Sequence, residues 1–306
     1  MSAISPQNLT YQNRTVYLTP AEVKGSPIAS AIDFTQLIPG GDFKTQDSAL
    51  ASLISQASAE ADQYCLGAVG TLGATVNTES GRYRSNRQGQ IIIHPGFWPI
   101  LEVQTFSIGT APGQTTALPV SNDNCWIEQR QFVITASSSS WTSQGPTDLS
   151  GFGWSAGGYQ FCQYTYVNGY FAQFLSSPVA AGASTIVIPS TTGLYPGLPF
   201  TIYDGSLSET LTVATSWDSV STTIPLAATT VHAHGAGTSV TTLPPTIKEA
   251  VIHLVVAKVK ARGQSGFVLN EIGEPTMVSG RTETSYEDHR IGLELLDAFK
   301  QVMGRG

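Results

Sequence analysis

Charged side chains are scarce in this chain. Asp, Glu, Lys and Arg together make up 12% of the 306 residues, about half of the roughly 25% that is usual in globular proteins. The net charge of −7 is nevertheless too small for a chain that stays disordered through self-repulsion. The polar surface of the folded protein therefore has to consist mainly of Ser, Thr, Asn, Gln and exposed backbone.

Cysteines and long apolar runs are also few. Only three cysteines occur, at Cys65, Cys125 and Cys162, and no two of them have the CxxC spacing of a metal or redox site, so we expect reduced thiols and no disulfide framework. No run reaches the roughly 18 to 20 apolar residues of a membrane span, and no basic, apolar signal peptide is visible at the start. A pI near 5.2 argues against tight binding of nucleic acid through its phosphates.

The sequence predicts four helices, from capping residues and from apolar residues at helical spacing. A short helix is expected to begin at Thr19-Pro20, where Thr caps and Pro takes the first position. A helix over 47–65 has Leu50, Leu53, Ile54 and Ala57 on one face and Ser and Gln on the other. A core helix is expected after Pro244-Pro245 and up to Arg262, and an amphipathic helix over 286–303 closes the chain.

The middle of the chain reads as strands and loops. Alternating aromatic residues over 159–170 predict a long strand that ends at the turn Asn168-Gly169. From 174 to 242 there are three acids (Asp204, Glu209, Asp218) and no Lys or Arg. Five short strands are expected there, separated by Gly turns. The predicted fold is therefore α+β, with a helical core and a β-rich middle in 1–173 and 243–306, and a small β-sandwich or barrel inserted as 174–242.

Three patterns could carry chemistry, and each has a plainer explanation. Gly153-Trp154-Ser155-Ala156-Gly157 matches the GxSxG pattern, but no strand and helix flank it as a nucleophile elbow requires. His232 and His234 lie on one side of an extended segment, yet two ligands are too few for zinc. His253 falls within the predicted core helix. We therefore expect no catalytic residue, no metal and no cofactor, and hence no enzyme.

Arg82, Arg84 and Arg87 form a local basic cluster around Tyr83. They could contact DNA phosphates in a channel. A solvent-exposed loop or a salt bridge between subunits would use the same residues. No phosphate-binding GxxxxGK[ST] loop is present, so the chain is not a packaging motor.

Four segments, taken in order, resemble the head–tail connector (adaptor) proteins of tailed double-stranded-DNA phages. They are YLTPAEVK at 17–24 with the helix that follows over 48–64, IIIHPGFWPI at 91–100, YTYVNGY at 164–170, and LPPTIKEA at 243–250 with Arg262 near the end of its helix. The closing amphipathic helix also fits. The resemblance covers about 1–173 and 243–306, and residues 174–242 are additional to the short members of that family.

This resemblance implies a structural protein of the virion neck, assembled in the host cytoplasm. Such adaptors form a ring, typically twelve-fold, below the portal protein; they extend the DNA channel without reading its sequence and dock the stopper or tail-completion protein. The apolar stripe of the last helix is then a candidate portal-docking surface. It comprises Ile291, Leu295, Leu296, Phe299 and Val302. Neither the family nor the composition implies contact with a membrane.

Two rival functions use other residues. A carbohydrate- or surface-binding β-rich virion protein would present the aromatic residues Trp141, Trp154, Tyr195 and Trp217 to its ligand. A serine hydrolase would depend on Ser155. A binding module should be monomeric and a hydrolase should turn over a substrate, whereas an adaptor should do neither and should join a portal ring.

Overall fold

The computed structural model describes residues 16–38, 40–67, 70–86, 89–128, 130–135, 159–261 and 280–301. The fold is mixed α+β with antiparallel sheets, which confirms the predicted class. The chain divides into two compact units, residues 1–64 with 244–298, and residues 65–243 with 299–306. The division predicted from the sequence, with 174–242 as an insert, stays a prediction.

The first unit is helical. Helix α1 (Pro20–Gly25) begins with the predicted cap, since Thr19 and Glu22 form a reciprocal capping box. Helix α2 (Phe43–Leu66) begins earlier than predicted, because the Asp42 carboxylate accepts the N–H of Thr45 at 2.8 Å and so caps the first turn. The predicted apolar face of α2 is fully buried at Leu50, Leu53, Ile54, Ala57 and Ala61.

Two further helices complete this unit. Helix α3 (Pro245–Ala261) is buried around most of its circumference, as predicted for the core helix. Helix α4 (Gly280–Leu296) lies several residues N-terminal to its predicted position and gives way to a 3₁₀ turn at Asp297–Phe299. Helix α4 packs on α3 so closely that a Cβ added at Gly292 would lie 3.0 Å from the Ala250 carbonyl oxygen.

Ion pairs connect the helices of the first unit. The buried Lys248 ammonium of α3 binds Glu22 of α1. Glu60 of α2 binds Lys258 at 2.5 Å and His289 at 2.6 Å, and so joins α2 to α3 and α4. These pairs use several of the few charges that the chain has, and they use them inside the unit.

The second unit contains a four-stranded antiparallel sheet in the order β1-β7-β3-β4. Its strands are β1 (Thr75–Arg84), β3 (Ile100–Ala111), β4 (Gln114–Leu118) and β7 (Tyr159–Asn168). A three-stranded sheet consists of β2 (Gln90–Ile93), β6 (Gln131–Thr135) and β5 (Cys125–Glu128), in that order. The two sheets share one apolar core that includes Ile91, Phe106, Phe132, Ile134 and Tyr164. The predicted strand over 159–168 is confirmed, and Gly169 follows it at φ +96°.

The remaining strands of this unit are short. They are β8 (Ala172–Phe174), β9 (Thr185–Val187), β10 (Pro199–Tyr203), β11 (Glu209–Thr212), β12 (Thr223–Pro225) and β13 (Ser239–Thr241). One sheet has the order β11-β10-β13-β8, and β12 pairs with β9. All five strands predicted between 184 and 241 are present, and they enclose an apolar cluster of their own that includes Phe200, Ile202 and Val240.

Candidate interaction face

Strand β1 lies at one edge of the four-stranded sheet, and its side chains alternate strictly between two environments. The odd-numbered residues from Thr75 to Tyr83 are half-buried, and the even-numbered ones from Val76 to Arg84 are exposed. Alternation with a period of two is what a strand with one covered and one open face produces. We call the open side, with the even-numbered residues of β1 and their partners on β7, β3 and β4, the outer sheet face.

Both arginines of β1 stand beside aromatic rings on the outer sheet face. Arg82 pairs with Phe161, and Arg84 pairs with Tyr159, whose side chain is 70% exposed. The two arginines are separated by about 6.6 Å along the strand. The structure thus places Arg82 and Arg84 on one face of β1, each opposite an aromatic residue, whereas Arg87 lies outside the described residues.

The rest of the outer sheet face is mostly polar and uncharged, apart from the exposed Val76 and Glu102, which are both partners of Val167. The Thr78 and Thr165 hydroxyls are 2.9 Å apart across β1 and β7. The row continues over Ser80, Gln163, Ser107 and Ala117, which are cross-strand partners in succession. Arg and aromatic residues are enriched in protein interfaces, whereas Ser and Ala are depleted there. The part of this face that resembles an interface is therefore the end that carries Arg82, Arg84, Phe161 and Tyr159.

On the inner side of the same sheet, Glu79 is the centre of a hydrogen-bond network. Its carboxylate accepts the Tyr166 hydroxyl at 2.6 Å and the Tyr164 hydroxyl at 3.0 Å, as well as the Gly96 N–H at 3.1 Å. The Tyr83 hydroxyl lies 2.8 Å from that of Tyr164. Burial raises the pKa of all three phenols, so they stay protonated and keep the carboxylate bound. This network fixes β1 on β7 and holds the loop after β2 in place.

Helix α2 presents a second surface with few charges. Every exposed residue from Thr45 to Gln63 is uncharged, namely Thr45, Ser48, Ala51, Ser52, Gln56 and Gln63. A helix face that stays in water usually carries Lys and Glu. The exposed face of α2 therefore consists of uncharged residues, including the predicted Ser and Gln.

The candidate portal-docking residues of the last helix are only partly accessible. Leu296 is completely buried, and Ile291, Leu295 and Phe299 are half-buried. Val302 lies outside the described residues. The stripe therefore contributes to packing within the chain at Leu296, and its other described members retain some exposed surface.

The residues considered for catalysis or metal binding have structural partners. His234 is buried, with Nδ1 3.0 Å from Asp204 and Nε2 2.7 Å from Glu209, and His253 lies 3.3 Å from Asp288. Within the described ranges no group of three or more His, Cys, Asp or Glu residues could hold a metal ion. Ser155 lies outside those ranges.

The three cysteines are buried and form no disulfide with one another. Burial raises the pKa of Cys125 to about 11 and that of Cys162 to about 12, so these two thiols are unreactive at neutral pH.

The aromatic platform of the rival carbohydrate-binding hypothesis is not assembled by the described residues. Trp217 is only 6% exposed, and its indole N–H donates to the Ser221 carbonyl at 3.1 Å. Tyr195 is 41% exposed, and Trp141 and Trp154 lie outside the described residues. Trp217 is a core residue, so it cannot stack on a sugar.

Comparison with protein-family models and with curated proteins finds no match for this chain. None of the helices that the structure describes combines the length and the apolar character needed to cross a bilayer.

Proposed function

We propose that this chain is a structural subunit of a phage head–tail connector, an adaptor that assembles into a ring below the portal protein. The observation that carries the proposal is the outer sheet face, where Arg82, Phe161 and the exposed Tyr159 lie among uncharged polar side chains. Arg and Tyr are the residues that most often dominate binding energy in protein interfaces. Four segments resemble connector proteins in the same order along the chain, and this resemblance suggests that the assembly is a connector ring.

A ring needs two different complementary patches on each subunit, because its interface is heterologous and closes on itself. The outer sheet face and the uncharged face of α2 are two such patches of different chemistry. In this assembly the subunits, twelve in a ring, extend the DNA channel and offer their lower side to the stopper or tail-completion protein. The protein is then a component of the virion neck.

A negatively charged adaptor suits a channel through which DNA slides. The net charge of −7 avoids the counterion-release affinity that many phosphate contacts would create. Arg82 and Arg84 are assigned to contacts between subunits in this proposal, since they stand beside aromatic rings on an interface-like face.

Reconstitution with purified portal rings tests the function directly. The full chain should co-migrate with the portal in size-exclusion chromatography, and electron microscopy should show an added ring on one side of it. A neck complex purified from particles that lacks this chain, or a substrate turned over by the chain alone, would contradict the proposal.

The docking stripe is tested in the same assay with a pair of variants. Leu295→Ser changes a half-buried stripe residue, and Glu294→Gln changes the exposed residue beside it. We expect the first to weaken portal binding and the second to leave it unchanged, with both variants folded according to circular dichroism. Normal portal binding by Leu295→Ser would remove the stripe from the docking surface.

A further inference from the structure

Strand β4 is an edge strand that has neither charge nor proline, and the one irregularity in its pairing with β3 lies at the hairpin end, between Gly109 and Ala111. It pairs with β3 on one side and is the last strand in the sheet order. No other strand among the described residues pairs with its second side. Edge strands in monomers usually carry charges, proline or a bulge that prevent pairing with other chains. Residues 114–118 contain no proline and no charge, and the sequence has no charged residue from Val103 to Asn122.

The opposite edge of the same sheet is β1. It pairs with β7 over ten residues, from Thr75 to Arg84. On its other side Ser85, just beyond the strand, bridges to Ile91, and within the described part of the chain no strand pairs with residues 75–84 from that side. As far as the structure describes the chain, the sheet therefore ends in two edges that pair with no further strand, one neutral and one that carries Arg82 and Arg84.

The direction of the strands determines how two copies fit. All neighbours in the sheet are antiparallel, and there are four strands, so β4 runs opposite to β1. If a second copy is added beside the first with its strands in the same sense, its β1 runs antiparallel to β4 of the first copy. The alternation then continues without a parallel pair, and antiparallel pairing is slightly more stable per residue.

Pairing of like edges cannot build a ring. Two β1 edges, or two β4 edges, form a two-fold contact that ends at a dimer and leaves the other edge unused. Pairing of β4 with β1 uses both edges and can continue from copy to copy.

We propose that the β4 edge of one subunit pairs antiparallel with the β1 edge of a second copy, so that the sheet runs continuously from subunit to subunit. The inference rests on the proposed ring, and it adds a contact between sheet edges to the two patches named above. Ala117 of β4 and Ser80 of β1 lie in one row on the outer sheet face, so the outer faces of adjacent copies form one surface.

Intermolecular disulfide formation tests this contact. The chain offers a clean background because its three native cysteines are buried. Three double variants combine Ala117→Cys with Val76→Cys, Thr78→Cys or Ser80→Cys. These β1 positions share a face and are two residues apart, so the set covers the neighbouring registers. Opposed residues in antiparallel strands have Cα separations that a disulfide can span.

We expect one double variant to give, after mild oxidation, a covalent ladder of dimers, trimers and larger species on a non-reducing gel. Each single variant should stay monomeric on the same gel. A dimer from Ala117→Cys alone would show two-fold pairing of β4 edges and would overturn the inference. A ladder needs two different surfaces, so it cannot arise from a two-fold contact.

The experiment separates failure of this contact from failure of the ring. If rings are visible by electron microscopy, alone or on the portal, but no double variant forms a ladder, the edge contact is overturned and the adaptor function stands. If the chain stays monomeric with and without portal rings, both are overturned.

A charge substitution gives a second measurement. Ala117→Lys places a cation on the β4 edge, and Thr223→Lys places the same charge at an exposed position of β12, outside this sheet. We expect Ala117→Lys to abolish assembly while Thr223→Lys retains it. Equal assembly by both variants would exclude the edge, and equal loss would show that added charge anywhere prevents assembly and would overturn the inference.

Discussion

Glu79 shows how a single carboxylate can organise a strand that has almost no apolar side chains. Three of its hydrogen-bond donors come from β7 and from the loop after β2, so the charge is compensated and β1 is fixed in register. A hydrogen bond to a charged group contributes about 1.5–3 kcal/mol, more than one between neutral groups. The network is therefore a large part of what holds β1 in the sheet.

Removing one phenol tests this role. Tyr166→Phe deletes the donor that lies 2.6 Å from Glu79 without changing the shape of the ring. We expect the free energy of unfolding to fall by about 1.5–3 kcal/mol, measured by urea unfolding. The matched variant Tyr195→Phe alters a phenol that is 41% exposed and should change it by less than about 0.5 kcal/mol. Equal effects of the two variants would contradict the role given to Glu79.

The environment of Glu209 makes the stability of the unit that contains the short strands depend on pH. Desolvation raises the pKa of this carboxyl, but hydrogen bonds from the Val231 and His232 N–H groups and from buried His234 together outweigh it, so the net pKa is lowered from 4.5. A carboxyl whose pKa is lower in the folded state stabilises the protein above its unfolded pKa, and this contribution is lost as the pH falls through the folded value.

The expected result is a loss of stability below about pH 4.5 that depends on Glu209. Thermal unfolding of the wild-type chain and of Glu209→Gln between pH 3 and pH 7 should show curves that differ at pH 7 and converge on acidification. Glu102→Gln, at an exposed position of β3, should run parallel to wild type. If the Glu209→Gln curve stays parallel as well, Glu209 does not provide the linkage.

At the scale of elements, apolar periodicity predicted some parts of the fold and missed others for a physical reason. Helices α2 and α3 bury apolar side chains every three or four residues, so both could be predicted from the sequence. Strand β1 could not be predicted in this way. Its inward residues include Asn77, Glu79 and Gly81, and its polar groups form hydrogen bonds with partners distant in sequence. The sequence pattern also did not show that Phe161 lies opposite Arg82, because the register of two strands decides which residues become cross-strand partners.

The position of α4 also could not be predicted from the spacing of apolar residues. Its apolar stripe was visible, but its close approach to α3 depends on Gly292, which lacks a side chain and so leaves no apolar signal. Contact with the Ala250 carbonyl, and not amphipathicity alone, determines how this helix packs.

Gly292→Val tests the contact between α4 and α3. The added side chain would meet the Ala250 oxygen and the Leu254 side chain at 3.0–3.1 Å, so the helices must separate. We expect a loss of about 1–3 kcal/mol in unfolding free energy, the usual cost of overpacking. Gly25→Val, at a glycine with no atom within 4 Å of an added Cβ, is the control and should stay within about 1 kcal/mol. A stable Gly292→Val chain would show that α4 can shift freely on α3.

At the scale of the whole molecule, the two roles considered for the arginine cluster predict different responses to salt. If Arg82 and Arg84 of each subunit neutralised two DNA phosphates, the logarithm of the DNA association constant would fall with the logarithm of the salt concentration with a slope of roughly −1.8 per subunit. If the arginines lie between subunits, that slope is near zero and their loss affects assembly. The net charge of −7 and the aromatic neighbours of the arginines favour the second case.

The double variant Arg82→Gln, Arg84→Gln separates these cases. Fluorescence anisotropy of a labelled 30-base-pair duplex, titrated with assembled protein at 50 and 200 mM salt, should show weak binding with the same slope for variant and wild type. Light scattering should show that the variant assembles less well. The opposite pattern, normal assembly with a smaller salt slope, would place the arginines in the channel. Because each measurement responds to only one of the two roles, the pair of results assigns the cluster whichever way it falls.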